Sequence, residues 1–172
     1  MFHQLLPAWR GRRVLLAGGD DAMTAAMHAF LDEIGARPLR ILPTCSAEAL
    51  CRTLQTGRGA VLIVPELNAL ASLQPSRQLP ALNALICEAR EAGTPLMMLL
   101  ARGSDAQALS RLMHYADECS RAAHGGAVSI QIIRHEGMPA REACIGALAL
   151  GARYLMGDLA LTGILALKKP AD

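Results

Sequence analysis

The feature that most constrains this fold is a short apolar run that ends in two glycines and leads directly into a helix pattern. Residues 14–17 predict a buried strand, and Gly18-Gly19 permits a sharp turn. Asp20 or Asp21 is suited to cap the following helix, and Gly35 is suited to end it. The stretch is therefore the opening of a βαβ unit. In open α/β sheets, this first turn is where a nucleotide phosphate binds.

The rest of the chain repeats the alternation of strand and helix. Further strands are predicted at residues 38–42, 60–64, 95–101, 127–134 and 164–167. Further helices are predicted at residues 46–56, 80–92, 105–123 and 139–155. This order predicts a single α/β domain over residues 1–172, a three-layer doubly wound Rossmann-like parallel sheet of about six strands with helices on both faces. Residues 1–11 are expected to be a lead-in, with Trp9 packing over the sheet edge.

Composition excludes several classes of function. Net charge is +2, the arginines are scattered and aromatic residues make up 3%, so we expect no nucleic-acid partner. No uncharged apolar window of about 18 residues occurs, and the start of the chain does not resemble a signal peptide, so we expect a cytoplasmic protein with no membrane span. The five cysteines form no CxxC pair and the five histidines are dispersed, so no metal site is predicted.

Two segments resemble the short-chain dehydrogenase/reductase family. Residues 18–24 (GGDDAMT) are similar to the family's TGGxxGIG turn, and residues 149–163 are similar to its closing "flaSdlasyiTG" segment. The strands at 60–64, 96–101 and 129–133 fall, in order, where the family has its own. The resemblance covers nearly the whole chain, and it implies the family's Rossmann fold and an NAD(P) cofactor.

The resemblance also implies site residues. At the turn, the cofactor would be held by Gly18, Gly19, Asp20, Ala22 and Met23. The family's catalytic serine and the tyrosine of its YxxxK motif would correspond to Ser104 and Tyr115. In the family, the lysine lowers the pKa of the tyrosine hydroxyl, which then passes a proton.

This chain departs from the family pattern at the residues that do the chemistry. Ala22 and Thr24 stand where the family has its second and third glycines, and Cys119 stands where YxxxK has its lysine. Members of the family run to roughly 250 residues, whereas this chain leaves no room for one strand and helix before residue 60 or for a substrate lid after residue 134. These departures predict that dinucleotide binding is weakened and that hydride transfer is lost.

Three hypotheses for the function follow. In the first, the chain keeps the scaffold without the chemistry and acts as a homo-oligomer, or as a hetero-oligomer with a related dehydrogenase, through residues 105–123 and 139–167. In the second, it is an NAD(P)-dependent oxidoreductase with an atypical site that uses Tyr115. In the third, it is a flavodoxin-like or receiver-like signalling module, in which Glu66 would have to accept phosphate. The first is preferred, with no cofactor expected.

Overall fold

The computed structural model describes residues 2–41, 59–67, 89–103 and 128–168, together with residues 52, 87 and 114. The predicted helices at 46–56 and 105–123 lie almost entirely outside these residues. The described elements are α1 (Phe2–Trp9), β1 (Arg13–Ala17), α2 (Ala22–Glu33), β2 (Arg37–Ile41), β3 (Val61–Val64), β4 (Leu96–Arg102), β5 (Ser129–His135), α3 (Ala140–Leu155) and β6 (Gly163–Ala166). None of the described helices is long and apolar enough to cross a membrane.

The six strands form one parallel sheet in the order β2-β1-β3-β4-β5-β6. The chain leaves β1 for β2 on one side and then crosses to β3 on the other side of β1. Among the described strands, this is the order of a Rossmann sheet without the outermost strand of its first half. β2 and β6 are the edge strands of the described sheet. The predicted doubly wound α/β fold is confirmed.

The inner strands β1, β3 and β4 are apolar over nearly their whole length because both faces of the sheet are covered there. On β1, Val14 and Leu16 face the core that contains α1, α2 and α3, whereas Leu15 and Ala17 face the second core. The second core includes Ala89 and Ala92, which lead to the positive-φ residue Gly93 as predicted for the end of the 80–92 helix. Continuous apolar strands of this kind are typical of parallel sheets covered on both faces.

The prediction that residues 1–11 are only a lead-in is wrong, because residues 2–9 form α1. Leu5, Ala8 and Trp9 are buried, at the spacing of one helix face. Trp9 does not lie over the sheet edge: its indole N–H donates to the Leu148 carbonyl at 2.9 Å, within the core that also holds the central strand β4. The indole therefore ties α1 to α3.

Most of the apolar residues of α3 lie inside the core or pack against it. Its buried face consists of Ala143, Cys144, Ala147, Leu148, Gly151 and Ala152. Ile145, Leu150 and Leu155 are partly buried and pack against the same core. Among the described residues, the exposed large apolar side chains are Leu39 on β2 and three that lie beyond the helix end, Met156, Leu159 and Ile164. The larger group of them therefore lies on the α3–β6 connection and on β6.

Candidate functional site

The sheet order places the candidate site at the carboxyl ends of β1 and β3. The chain runs outward from β1 to β2 and then returns across β1, which opens a crevice between β1 and β3. Ligands of open α/β sheets bind in such a crevice. Two groups of polar residues lie along this edge, one at the turn after β1 and the other at the ends of β3, β4 and β5.

The turn after β1 brings the predicted cofactor residues together, but contacts within the chain hold it. The Gly18 N–H donates to the Ile41 carbonyl at 3.1 Å, and the Gly19 carbonyl accepts a hydrogen bond from the Arg40 guanidinium. The same guanidinium lies 3.4 Å from an Asp20 carboxylate oxygen. The end of β2 therefore ties down the loop that a dinucleotide would approach.

The N-terminus of α2 carries its own carboxylate. Of the two predicted capping residues, Asp21 takes the role: one of its oxygens accepts from the Thr24 backbone N–H at 2.7 Å. The other oxygen accepts from the Thr24 hydroxyl at 2.8 Å. Free N–H groups and the helix dipole make a helix N-terminus a natural anion site. Here an internal anion already occupies part of that position.

Gly18 and Thr24 fit together as a pair. Thr24 is fully buried, and a Cβ added to Gly18 would lie 2.2 Å from the Thr24 Oγ1 atom and 2.7 Å from its Cγ2 atom. In a Rossmann turn, the third glycine allows close packing of helix and strand. In this chain Gly18 provides that room, and the Thr24 side chain fills it. Ala22, in the place of the second glycine, is exposed at the start of α2, and Met23 is buried.

The second group was not predicted as a site. Arg102 and His135 end β4 and β5 and are register partners, and Glu66 lies two residues after β3. The Arg102 Nη2 atom lies 3.6 Å from the Glu66 Oε2 atom. His135 is buried and its Nε2 atom has no hydrogen-bond partner. Burial, and to a smaller extent the Arg102 charge, lowers the pKa of His135, so the imidazole is neutral near pH 7.

A sequence signal for this second group exists but is weak. Arg102 follows an apolar run directly, Glu66 follows one after a proline, and His135 follows one after Arg134, which places each at the carboxyl end of a strand. Only the strand order shows that the three ends are neighbours. The sequence predicts a role for Glu66 only in the receiver hypothesis, as a phosphate acceptor.

The predicted catalytic residues Ser104 and Tyr115, with Cys119, lie outside the described residues and remain predictions. Ser104 directly follows the described Gly103 in the sequence, and the Gly103 N–H donates to the His135 carbonyl at 3.1 Å. Tyr115 directly follows the described His114 in the sequence.

Other candidate chemistry is limited in the described part of the chain. No group of three or more His, Cys, Asp or Glu residues is arranged there to hold a metal ion. Cys144 is buried against Met23, and this burial raises the pKa of its thiol to about 12 although Arg141 opposes the shift. A thiol in this state is a packing residue and is unreactive as a nucleophile near neutral pH.

Comparison with known proteins identifies the fold. No protein-family model and no curated protein sequence matches the chain. Its structure is similar to BdcA (YjgI) from E. coli, with a TM-score of 0.56 and 18% identity over 93% of this chain and 100% of that one. It is also similar to a short-chain dehydrogenase from Burkholderia cenocepacia J2315 solved in complex with NADP, with a TM-score of 0.53 and 16% identity over 93% of this chain and 89% of that one. The chain therefore has the short-chain dehydrogenase fold that its sequence resembles.

Proposed function

We propose that this protein is a scaffold with the short-chain dehydrogenase fold that acts by association with a second copy of itself and not by hydride transfer. The observation that carries the proposal is the difference between the two edges of the sheet. At one edge β2 carries the exposed Arg37 and Arg40 and the half-buried Pro38. Charged residues and proline are the devices by which proteins protect an edge strand from pairing.

The other edge has none of these devices. Strand β6 reads Gly-Ile-Leu-Ala, with no charge and no proline, and Ile164 on this strand is 41% exposed. Met156 and Leu159, in the connection that leads to β6, are also exposed. An uncharged edge strand beside exposed apolar side chains favours pairing with a like surface, as in a twofold dimer.

The turn after β1 supports the loss of chemistry. A dinucleotide pyrophosphate placed at the N-terminus of α2 would meet the Asp21 carboxylate, which the Thr24 N–H and hydroxyl already hold in place. Asp20 adds a second negative charge beside it. Like charges at short range disfavour the complex, and moving Asp21 away would remove the helix cap.

The experiment that tests association is sedimentation equilibrium on the wild-type protein and two matched variants. Ile164→Lys places a charge on β6 and is expected to reduce the mass to that of a monomer. Leu39→Lys makes the same change at an exposed leucine of β2 and is expected to leave the mass unchanged. A monomeric wild-type protein, or an equal effect of the two variants, would overturn the proposed dimer.

One observation favours the second hypothesis, an NAD(P)-dependent oxidoreductase. Arg40 lies beside the glycine turn, where a guanidinium can meet the 2′-phosphate of NADP, and the Burkholderia structure holds NADP. Saturating NADPH at about 100 times its dissociation constant would stabilise a binding protein by roughly 2.7 kcal/mol. We expect no such shift for the wild type. A clear shift would revive the oxidoreductase, and Tyr115→Phe would then test the phenol.

A second variant tests whether weak NADPH binding is caused by the charge of Asp21 or by a turn that is closed completely. Asp21→Asn keeps a side chain that caps helices but removes the negative charge. A thermal shift with NADPH that occurs in Asp21→Asn but not in the wild type would identify the carboxylate as the block. If NADPH causes no thermal shift in either protein, the result agrees with a turn that is completely closed to the dinucleotide by contacts within the chain.

A further inference from the structure

The hydrogen bonds between β5 and β6 determine which backbone groups of β6 point away from the sheet. The Leu167 N–H donates to the Arg134 carbonyl at 2.9 Å. In a parallel ladder, the N–H and C=O of one residue point to the same neighbouring strand, and successive residues alternate between the two sides. Leu165 and Leu167 therefore face β5. The backbone groups of Ile164 and Ala166 face outward, and they have no partner strand because β6 is an edge of the described sheet.

The outward backbone groups of β2 are different. The Arg37 N–H donates to the Arg12 carbonyl at 2.8 Å, so the residues of β2 that face outward are Pro38 and Arg40. Pro38 has no N–H with which to donate to another strand. The outer side of β2 therefore cannot complete a ladder with an added strand, whereas β6 offers an N–H and a C=O at both of its outward residues.

The side chains of β6 favour an identical strand as the partner. Ile164 and Ala166 are both exposed, and they lie on the same face of the sheet because they are two residues apart. In an antiparallel pair with Leu165 on the twofold axis, called here the central register, Ile164 of each copy lies opposite Ala166 of the other. A large side chain then lies beside a small one at both places, and no charge is buried.

The central register is the twofold arrangement that pairs all the outward groups within β6. An axis through Ile164 would place Ala166 opposite Thr162, whose N–H already donates to the Ala160 carbonyl at 2.9 Å. An axis through Ala166 would place Ile164 opposite the charged Lys168, which lies beyond the end of β6. Only the central register avoids both of these mismatches.

We propose that two copies of the chain join their β6 strands in the central register, so that two six-stranded sheets continue as one sheet of twelve strands. This interface rests on the self-association proposed above and specifies how the second copy is recognised. The backbone groups of Ile164 and Ala166 hold the pair together, Leu165 lies on the axis, and the partner is a strand of the same uncharged sequence.

A proline substitution tests the backbone pairing by sedimentation equilibrium. Ala166→Pro removes an outward N–H from each copy and leaves the hydrogen bonds to β5 intact, as the native Pro38 leaves β2 paired with β1. The dimer loses two hydrogen bonds, and we expect its dissociation constant to rise by about ten-fold or more. Ala166→Ser keeps the N–H and is the matched control, with no change expected. A wild-type dimer that Ala166→Pro leaves unchanged would overturn the strand pairing, although the self-association would stand.

Cysteine cross-linking tests the register without a proline. In the central register, the Cα atoms of the two Leu165 residues are about 4.5 Å apart, within the range of roughly 4.4–6.8 Å that a disulfide spans. Leu165→Cys is expected to form a disulfide-linked dimer in mild oxidant. Ile164→Cys is expected not to, because the two copies of Ile164 are diagonal neighbours at about 7–8 Å.

The wild-type protein is oxidised in parallel, so that linkage through the native cysteines is accounted for. A dimer in solution without linkage of Leu165→Cys, or equal linkage of Leu165→Cys and Ile164→Cys, would overturn the central register. A wild-type protein that is monomeric in solution would instead overturn the self-association, and the interface with it.

Discussion

Two halves of the same sheet edge differ in how their polar groups are satisfied. At the turn after β1, both carboxylate oxygens of Asp21 and the guanidinium of Arg40 have partners within the chain. At the ends of β4 and β5, a buried imidazole nitrogen has none. The comparison teaches that contacts within the chain can satisfy the polar groups at the usual ligand position of a fold while a polar atom at a neighbouring position along the edge stays without a partner.

The largest effect is expected from a substitution that disrupts the close packing of Gly18 against Thr24. Gly18→Ala places a methyl group 2.2 Å from the Thr24 Oγ1 atom, and we expect destabilisation by about 3 kcal/mol, as for overpacked sites. The measurement is urea denaturation followed by the fluorescence of Trp9, the single tryptophan of the chain.

Two controls make this prediction specific. Gly19→Ala meets no atom within 4 Å and is expected to leave stability nearly unchanged. Thr24→Gly added to Gly18→Ala should recover part of the loss, because it removes the atoms that clash. Equal effects of Gly18→Ala and Gly19→Ala would contradict the fitted pair.

The next effect concerns the packing beneath the turn, where the Cys144 sulfur lies 3.8 Å from the Met23 sulfur. The folded protein keeps the Cys144 proton up to a pKa of about 12, whereas the unfolded chain loses it above 9.0. The free energy of unfolding therefore falls as pH rises above 9.0, and one pH unit above 9.0 it has lost about 1.4 kcal/mol. Cys144→Ala should reduce this slope, and Cys87→Ala, at a half-buried site, serves as the matched control.

Loss of the helix cap should have a smaller effect. Asp21→Ala removes the acceptor of both Thr24 hydrogen bonds, and we expect a loss of about 1 kcal/mol in the free energy of unfolding. Asp20→Ala is the control, since the Asp20 side chain is exposed and lies 3.4 Å from the Arg40 guanidinium at the surface. If the two variants lose equal stability, the cap does not hold the turn.

The smallest expected effect comes from the other half of the comparison. The pKa of His135 is lowered below 6.5 in the folded state, so below pH 6.5 the unfolded chain takes up the proton first. Stability is therefore full above 6.5 and declines as pH falls below it. His135→Gln should flatten this decline. An unchanged slope in His135→Gln would show that the imidazole is not buried as described.

The strands could be predicted from the sequence, whereas the second group of polar residues in the candidate site could not. Continuous apolar runs such as residues 61–64 are typical of strands covered on both faces. Asp21 and Gly35 are local signals for the start and the end of a helix, and both depend only on residues near them in sequence. The helix α1 was not predicted, although the spacing of Leu5, Ala8 and Trp9 matches one helix face; Pro7 lies inside this helix, where proline is disfavoured. Local patterns therefore predict elements well when their partners are near in sequence.

The second group of polar residues could not be predicted for the opposite reason. Arg102 and His135 become neighbours only because β4 and β5 pair in register, which no local pattern determines. The arginines look scattered along the sequence for the same reason. Arg13 and Arg37, for example, are distant in sequence but are register partners on β1 and β2. The predicted Ser104 and Tyr115 remain to be tested by substitution.

The unequal edges of the sheet also limit how far an assembly can grow. Two copies joined along β6 by a twofold axis would present β2 at both outer ends, and each of those strands carries Arg37, Pro38 and Arg40. Further addition would bring arginines together and would meet a residue without a backbone N–H. In the proposed dimer, growth would therefore stop at the pair, and the charged residues and the proline of β2, an edge strand of the described sheet, would protect the chain from forming fibres.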